Sequence, residues 1–148
     1  MKKLNEEIKT GQLKQVYLLC GEEAYLRNQY RDRLKKALLD GGDAMNLHSF
    51  EGKGIQTGEV IDLAETMPFL AQRRVLVIEN SELFKHGGEQ LAQYMASPAQ
   101  TAYFVFVEQA VDKRSKLYKA VQTKGRIIEC YTQDEAVLKR WILEFLKK

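Results

Sequence analysis

The chain has 148 residues, the usual size of one domain, and a hydrophobic share of 45% that is enough to bury a core. Its formal net charge of +3, from 23 basic and 20 acidic side chains, is too small to indicate a nucleic-acid-binding protein by itself. No run approaches the roughly 18 apolar residues that a membrane-spanning helix needs, and the N-terminus lacks an apolar signal core. We therefore expect a cytoplasmic domain that has no contact with a membrane.

Short apolar runs predict five β-strands: Val16–Cys20, Leu47–Phe50, Val75–Ile78, Tyr103–Val107 and Arg126–Cys130. The third and fourth runs are nearly continuous in large apolar residues, which is typical of strands buried on both faces of a parallel sheet. The second run is more polar and fits an edge strand. Cys20 and Cys130 lie inside such runs, so we expect both thiols to be buried and reduced.

The first half of the chain also carries three helical patterns. An opening helix is predicted around Leu4, and a longer one over Glu22–Leu39, where apolar residues recur close to a 3.6 period before a glycine pair. Thr57 is the expected cap of the next helix, whose apolar face extends to Met67. Pro68 cannot continue that helix, because it lacks a backbone donor and restricts the residue before it.

Three further helical segments are predicted in the second half. Ser81–Met95 is helical in parts and is broken by two glycines, and Asp112 is the expected cap of a helix that buries Leu117. Thr132 and Glu135 form a Thr-x-x-Glu capping box for a last, strongly apolar helix. Because strands alternate with helices, the sequence predicts right-handed crossovers and a parallel sheet covered on both faces.

The segment after the first strand occupies the place of a phosphate-binding loop in a parallel α/β domain. Such a loop needs Gly-x-x-x-x-Gly-Lys-Ser/Thr, but here Gly21 is followed by Glu22 and Glu23, which would repel phosphates and suit a helix N-terminus. After the third strand, Glu79-Asn80 stands where an ATPase needs an acidic pair for Mg²⁺ and water activation. We therefore expect no bound nucleotide or other cofactor.

The remaining polar residues do not form a recognisable catalytic or metal-binding pattern. His48 and His86 are isolated from each other, the cysteines lack Cys-x-x-Cys spacing, and no Gly-x-Ser-x-Gly motif is present. We predict neither catalytic residues nor metal ligands. A basic cluster suggests an alternative function as a DNA-binding module, although a solvated helix face explains it more simply. Its members are Lys113, Arg114, Lys116, Lys119, Lys124 and Arg126.

Folding alone does not explain the segment Met67-Pro68-Phe69-Leu70, which leads through Arg73 into the third predicted strand. Its two large apolar residues directly follow a proline, in a connection that should lie at the surface. Either they close the preceding helix against the sheet as a hydrophobic staple, or they form an exposed anchor for the pocket of a partner.

Together, five segments resemble the delta family of bacterial DNA polymerase III clamp loaders, in order and at natural spacing: Tyr17–Leu26, Asn46–Gly52, Glu65–Ile78, Asp112–Ala120 and Lys139–Ile142. The resemblance implies an AAA+-like fold with a degenerate nucleotide site, built on a five-stranded parallel sheet in the strand order 5-1-4-3-2. This order would place Cys20 and Cys130 on neighbouring strands.

The resemblance also implies a function. The chain would be no enzyme by itself but a component of the DNA polymerase III holoenzyme. It would bind the ring-shaped sliding clamp through a hydrophobic wedge and help to open it during replication. The wedge maps onto Phe69 and Leu70, with Met67 and Pro68 shaping it and Arg73 beside it.

The expected division of the chain follows from the same resemblance. Residues 1–132 would form the AAA+-like clamp-binding domain, and residues 133–148 would be the first helix of a truncated second domain, the lid. The implied partners are the sliding clamp (the beta subunit), the other clamp-loader subunits through domains missing from this chain, and DNA indirectly within the full complex.

Overall fold

The computed structural model describes residues 2–42 and 44–130. The predicted last helix, its capping box at Thr132 and Glu135, and the predicted domain boundary after residue 132 lie outside the described residues.

One parallel sheet contains β1 Val16–Cys20, β2 Leu47–Glu51, β3 Arg74–Glu79, β4 Ala102–Glu108 and β5 Arg126–Glu129. Each strand lies within one residue of its predicted limits, and the order β2-β3-β4-β1-β5 is the predicted order read from the other edge. The pairing is parallel throughout, and β1 aligns Tyr17 with Val105 of β4 and with Arg126 of β5. The more polar β2 is an edge strand, as expected.

The α-helices within the described residues are α1 Lys2–Thr10, α2 Ala24–Leu39, α3 Thr57–Ala64, α4 Glu89–Tyr94 and α5 Lys116–Lys124. They cover both faces of the sheet, because side chains alternate in direction along each strand. Tyr17 and Leu19 of β1 pack towards α1 and α2, whereas Val16 and Leu18 pack towards α3, α4 and α5. None of the helices within the described ranges combines the length and the apolarity that crossing a bilayer requires.

Two predicted helix caps are wrong. Gln56 holds the extended conformation before α3, so Thr57 is already helical, and its hydroxyl donates to the Gln90 side chain of α4. Ser115 caps α5 by accepting a hydrogen bond from the backbone N–H of Tyr118. Asp112 instead accepts from the N–H of Arg114 in the turn before that helix. A hydroxyl or carboxylate caps a helix only from the last extended residue.

Two predicted helices are shorter than expected. The α3 helix ends at Ala64, so Met67 does not belong to its apolar face and is 75% exposed. Between Ser81 and Met95, only α4 is an α-helix. Gly88 directly precedes α4, and a Cβ at this position would lie 2.4 Å from the carbonyl oxygen of Leu83, so only glycine fits there.

Candidate partner-binding site

Residues Met67–Leu70, here called the apolar loop, connect α3 to β3 at the amino edge of the sheet. Leu70 is 87% exposed and Phe69 is 47% exposed. Pro68, which precedes them, is half-buried. The prediction that Phe69 and Leu70 are at least partly exposed is therefore confirmed. The alternative, in which they form a buried staple, is wrong, because a staple would leave neither side chain in water.

The backbone of the apolar loop is strained at its tip. Leu70 has a φ of +49°, in the left-handed region that residues other than glycine rarely adopt. Such a conformation costs on the order of 1–2 kcal/mol and persists only when the surrounding structure holds it in place. Strain of this kind is concentrated at functional sites in proteins.

Two buried polar side chains hold this backbone. The Asn46 amide is fully buried, accepts a 2.6 Å hydrogen bond from the N–H of Phe69 and donates a 2.8 Å bond to its carbonyl oxygen. The buried guanidinium of Arg74 donates to the carbonyl oxygens of Thr66 at 2.8 Å and Met67 at 2.6 Å. The loop is thus tied to β3 on one side and to the turn before β2 on the other.

Sequence reasoning did not single out Asn46. It expected Arg74, like Arg73, either to flank the contact or to be solvated, and not to bind the backbone of the loop. One signal was available for Arg74, because an arginine that opens a continuous apolar strand must find acceptors where it is buried. A third contact of its guanidinium is with the Nε2 atom of His48. Burial lowers the pKa of His48, and the Arg74 charge lowers it further.

Arg73, which was expected to lie beside the wedge, makes its contacts within the domain. Its guanidinium lies 5.1 Å from the centre of the Tyr103 ring and donates to the carbonyl oxygen of Leu38, at the end of α2, at 3.3 Å. A longer bond of 3.5 Å reaches the carbonyl oxygen of Gly11, after α1. Arg73 therefore ties both helices of one face to the amino edge of the sheet.

The position of a phosphate-binding loop lies at the opposite, carboxyl edge. Gly21 donates its N–H to the carbonyl oxygen of Glu108, and Glu23 donates its own to that of Cys130, both at 3.2 Å. The Glu23 carboxylate caps α2 by accepting from the N–H of Tyr25, as its predicted role at a helix N-terminus requires. A Cβ at Gly21 would lie 2.1 Å from the Cys130 oxygen, so only glycine fits there.

Acidic residues at this edge also accept hydrogen bonds from other residues of the domain. Glu79 accepts a 2.6 Å hydrogen bond from Arg31. Glu108 is buried and accepts from the N–H and hydroxyl of Ser81 and from the N–H of Glu82. Burial raises the pKa of the Glu108 carboxyl despite these bonds.

Cys20 ends β1 and Cys130 directly follows β5, which pairs with β1, so the predicted neighbourhood of the two cysteines is confirmed. The N–H of Cys130 donates to the carbonyl oxygen of Cys20. Both are buried and neither forms a disulfide. Their side chains belong to the cores on opposite faces of the sheet, which keeps the sulfur atoms apart. Burial raises the pKa of the Cys130 thiol to about 11, so it is protonated at neutral pH.

The basic cluster divides into two parts. Lys116, Lys119 and Lys124 lie exposed along α5. The other three members form ion pairs within the domain: Lys113 with Glu129, Arg114 with Asp112, and Arg126 with Glu7. Among residues 2–42 and 44–130, no group of three His, Cys, Asp or Glu side chains is arranged to hold a metal ion.

Comparison with known proteins gives consistent matches. Residues 17–131 match the family model described as DNA polymerase III, delta subunit. The chain is 29% identical over 136 residues to the DNA polymerase III subunit delta of Bacillus subtilis, a match that covers 84% of this chain and 39% of that protein.

Solved structures agree with these sequence matches. The Bacillus subtilis DNA clamp loader delta protein superposes with a TM-score of 0.78 at 27% identity, covering 88% of this chain and 42% of that one. A gamma subunit-related DNA polymerase III protein from Thermotoga maritima superposes with a TM-score of 0.63 at 10% identity, covering 89% and 47%, and supports the fold alone. The chain spans about two fifths of the length of its delta relatives.

Proposed function

The chain belongs to the DNA polymerase III delta subunit family. We propose that it binds the ring-shaped sliding clamp through the apolar loop and helps one ring interface to open. The observation that carries the proposal is the exposure of Phe69 and Leu70 on a backbone held by Asn46 and Arg74. A fixed backbone with apolar side chains in water is suited to a partner's pocket, because little conformational freedom is lost on binding.

The size of the contact fits this role. Burying a large apolar side chain stabilises a complex by roughly 1.5–3 kcal/mol. Leu70 has almost all of its surface to bury, whereas Phe69 has about half. The pair therefore supplies a few kcal/mol, with Met67 adding apolar area. This supports a specific but modest affinity once the costs of association are subtracted.

Ring opening follows from the same contact if the open ring binds the apolar loop better than the closed ring does. A ligand shifts such an equilibrium only by its difference in affinity for the two states, and about 1.4 kcal/mol corresponds to a tenfold shift. A loop with a fixed backbone favours this difference, because it cannot adapt equally well to both shapes of the pocket.

We assign this role without ATP hydrolysis by the chain itself. The support is that the amides of Gly21 and Glu23 bond to the domain's own carbonyl groups, and that the Glu23 carboxylate occupies the cap of α2. An incoming phosphate would have to displace a carboxylate and meet its negative charge.

The test is a titration of the 148-residue chain with purified sliding clamp, followed by calorimetry. We expect saturable, one-site binding that an excess of unlabelled chain competes away. Binding should change little between low and moderate salt, because the contact is apolar. The absence of binding at high micromolar clamp would contradict the proposal.

A further inference from the structure

Exposed apolar side chains on a loop pack against their own domain unless contacts hold the loop in another position. Apolar side chains on an unconstrained connection gain by folding back against the nearest apolar surface, because that removes area from water. Leu70 nevertheless remains 87% exposed, in a backbone conformation that leucine disfavours. The cause has to lie in contacts of the main chain.

The fully buried Asn46 side chain provides these contacts at the tip. Both functional atoms of its amide are used by one residue, since Oδ1 accepts from the N–H of Phe69 and Nδ2 donates to its carbonyl oxygen. A buried amide is costly unless it is hydrogen-bonded in this way. The two hydrogen bonds hold the peptide groups on both sides of Phe69, and thereby the position of the Leu70 backbone nitrogen.

Arg74 holds the other end of the loop. It binds the carbonyl oxygens of Thr66 and Met67 from the first position of β3, a strand with neighbours on both sides. Between these two anchors, the apolar loop has little freedom to swing towards the sheet.

The turn that carries Asn46 also presents an apolar side chain of its own. Met45 is 64% exposed and directly precedes Asn46 in the 3₁₀ turn Ala44–Asn46. It thus lies one residue from the amide that grips Phe69. Methionine is common at binding surfaces, because its flexible thioether adapts to irregular pockets.

We infer that the turn Ala44–Asn46 is a second part of the clamp-binding surface, in which Asn46 is a positioning residue for Phe69 and Leu70 and Met45 makes a contact with the clamp. This inference rests on the proposed function. It adds to the apolar loop a second segment, whose Asn46 is 23 residues from Phe69 in the sequence.

The positioning role is tested with Asn46→Ala in the 148-residue chain. Hydrogen exchange at the Phe69 amide reports on the loop, because that N–H is bonded to Asn46. We expect Phe69 to lose its protection while the amides of β3 and β4 keep theirs, and clamp affinity to fall at least tenfold. A variant that is folded, has lost Phe69 protection and binds the clamp like the wild type would overturn the positioning role.

The contact role is tested with Met45→Ser, at a position that is 64% exposed. Tyr25→Ser is its matched control, because Tyr25 is 71% exposed at the start of α2, at the opposite edge of the sheet. We expect a three- to tenfold loss of clamp affinity for Met45→Ser and no change for Tyr25→Ser. If Asn46→Ala does not fold, Met45→Ser decides alone, and an unchanged affinity overturns the inference.

The double variant Phe69→Ala with Leu70→Ala separates this inference from the proposed function. If that variant binds the clamp like the wild type, the proposed function fails. If it loses binding while folded Asn46→Ala and Met45→Ser retain it, only the inference about the turn fails.

Discussion

Replacing both Phe69 and Leu70 by alanine should separate clamp binding from folding. Buried side chains of this size would cost about 3–5 kcal/mol for Phe→Ala and 2–5 for Leu→Ala, a sum close to the entire stability of a domain. The structure predicts much less, because Leu70 is 87% exposed and Phe69 is 47% exposed. We expect about 1–2 kcal/mol in total, mostly from Phe69, and a melting temperature lower by only a few degrees.

The same double change should remove most of the binding energy. A loss of about 2.7 kcal/mol in binding free energy corresponds to a hundredfold weaker complex. Burying Leu70 and the exposed part of Phe69 against the clamp contributes that much or more. We therefore expect clamp affinity to fall by two or more decades. The assay is a thermal melt and a clamp titration on the same sample, with Tyr25→Ala as an exposed apolar control.

Two outcomes would refute this reasoning. A double variant that unfolds, or that melts tens of degrees lower, would show that the pair belongs to the core. A folded double variant with normal clamp affinity would show that the apolar loop is not the contact.

Calorimetry with Mg²⁺-ATP should show no binding, and a micromolar, Mg²⁺-dependent affinity would contradict the assignment of a non-nucleotide role. Burial alone would raise the pKa of Glu7, but hydrogen bonds from Arg126 and Tyr17 outweigh it and leave the pKa lowered. The stability that Glu7 supplies is therefore present above its unfolded pKa and is lost as pH falls through the folded value. Glu7→Gln should cost about 1–2 kcal/mol in urea denaturation at pH 7 and almost nothing well below pH 4. The pKa of His48 is also lowered, by burial and then by Arg74, so protonation in mild acid brings two cations together and should loosen the apolar loop. Clamp affinity should fall as the pH drops through this lowered pKa, below the ordinary histidine value of about 6.5. The fall should be steeper for the wild type than for His48→Gln, and equal pH profiles would exclude His48 as the cause.

The strands could be located from the sequence because parallel strands buried on both faces need continuous apolar residues. The runs around Val77 and Val105 have this property, and both strands lie where they were expected. The alternation of strands with helices was also sufficient to predict the layered architecture. The strand order was implied only by family resemblance, since periodicity does not determine which strands become neighbours.

Details of helix ends were less predictable, because they depend on competing hydrogen bonds. The Thr57 hydroxyl bonds to Gln90, which lies on another helix. Asp112 shapes a turn, and Ser115, three residues later, caps α5. Each of these residue types is suited to capping, but only the position of the last extended residue decides which one caps.

The local sequence indicated that Phe69 and Leu70 follow a proline, in a connection where large apolar side chains are costly. It left open whether these side chains close the core or face a partner, because both arrangements satisfy the same local pattern. The folded chain answers this question through Asn46, in the turn before β2, and Arg74, at the start of β3. Both side chains bind the backbone of the loop. Such contacts depend on the sheet bringing distant segments to one edge, and no local spacing encodes them.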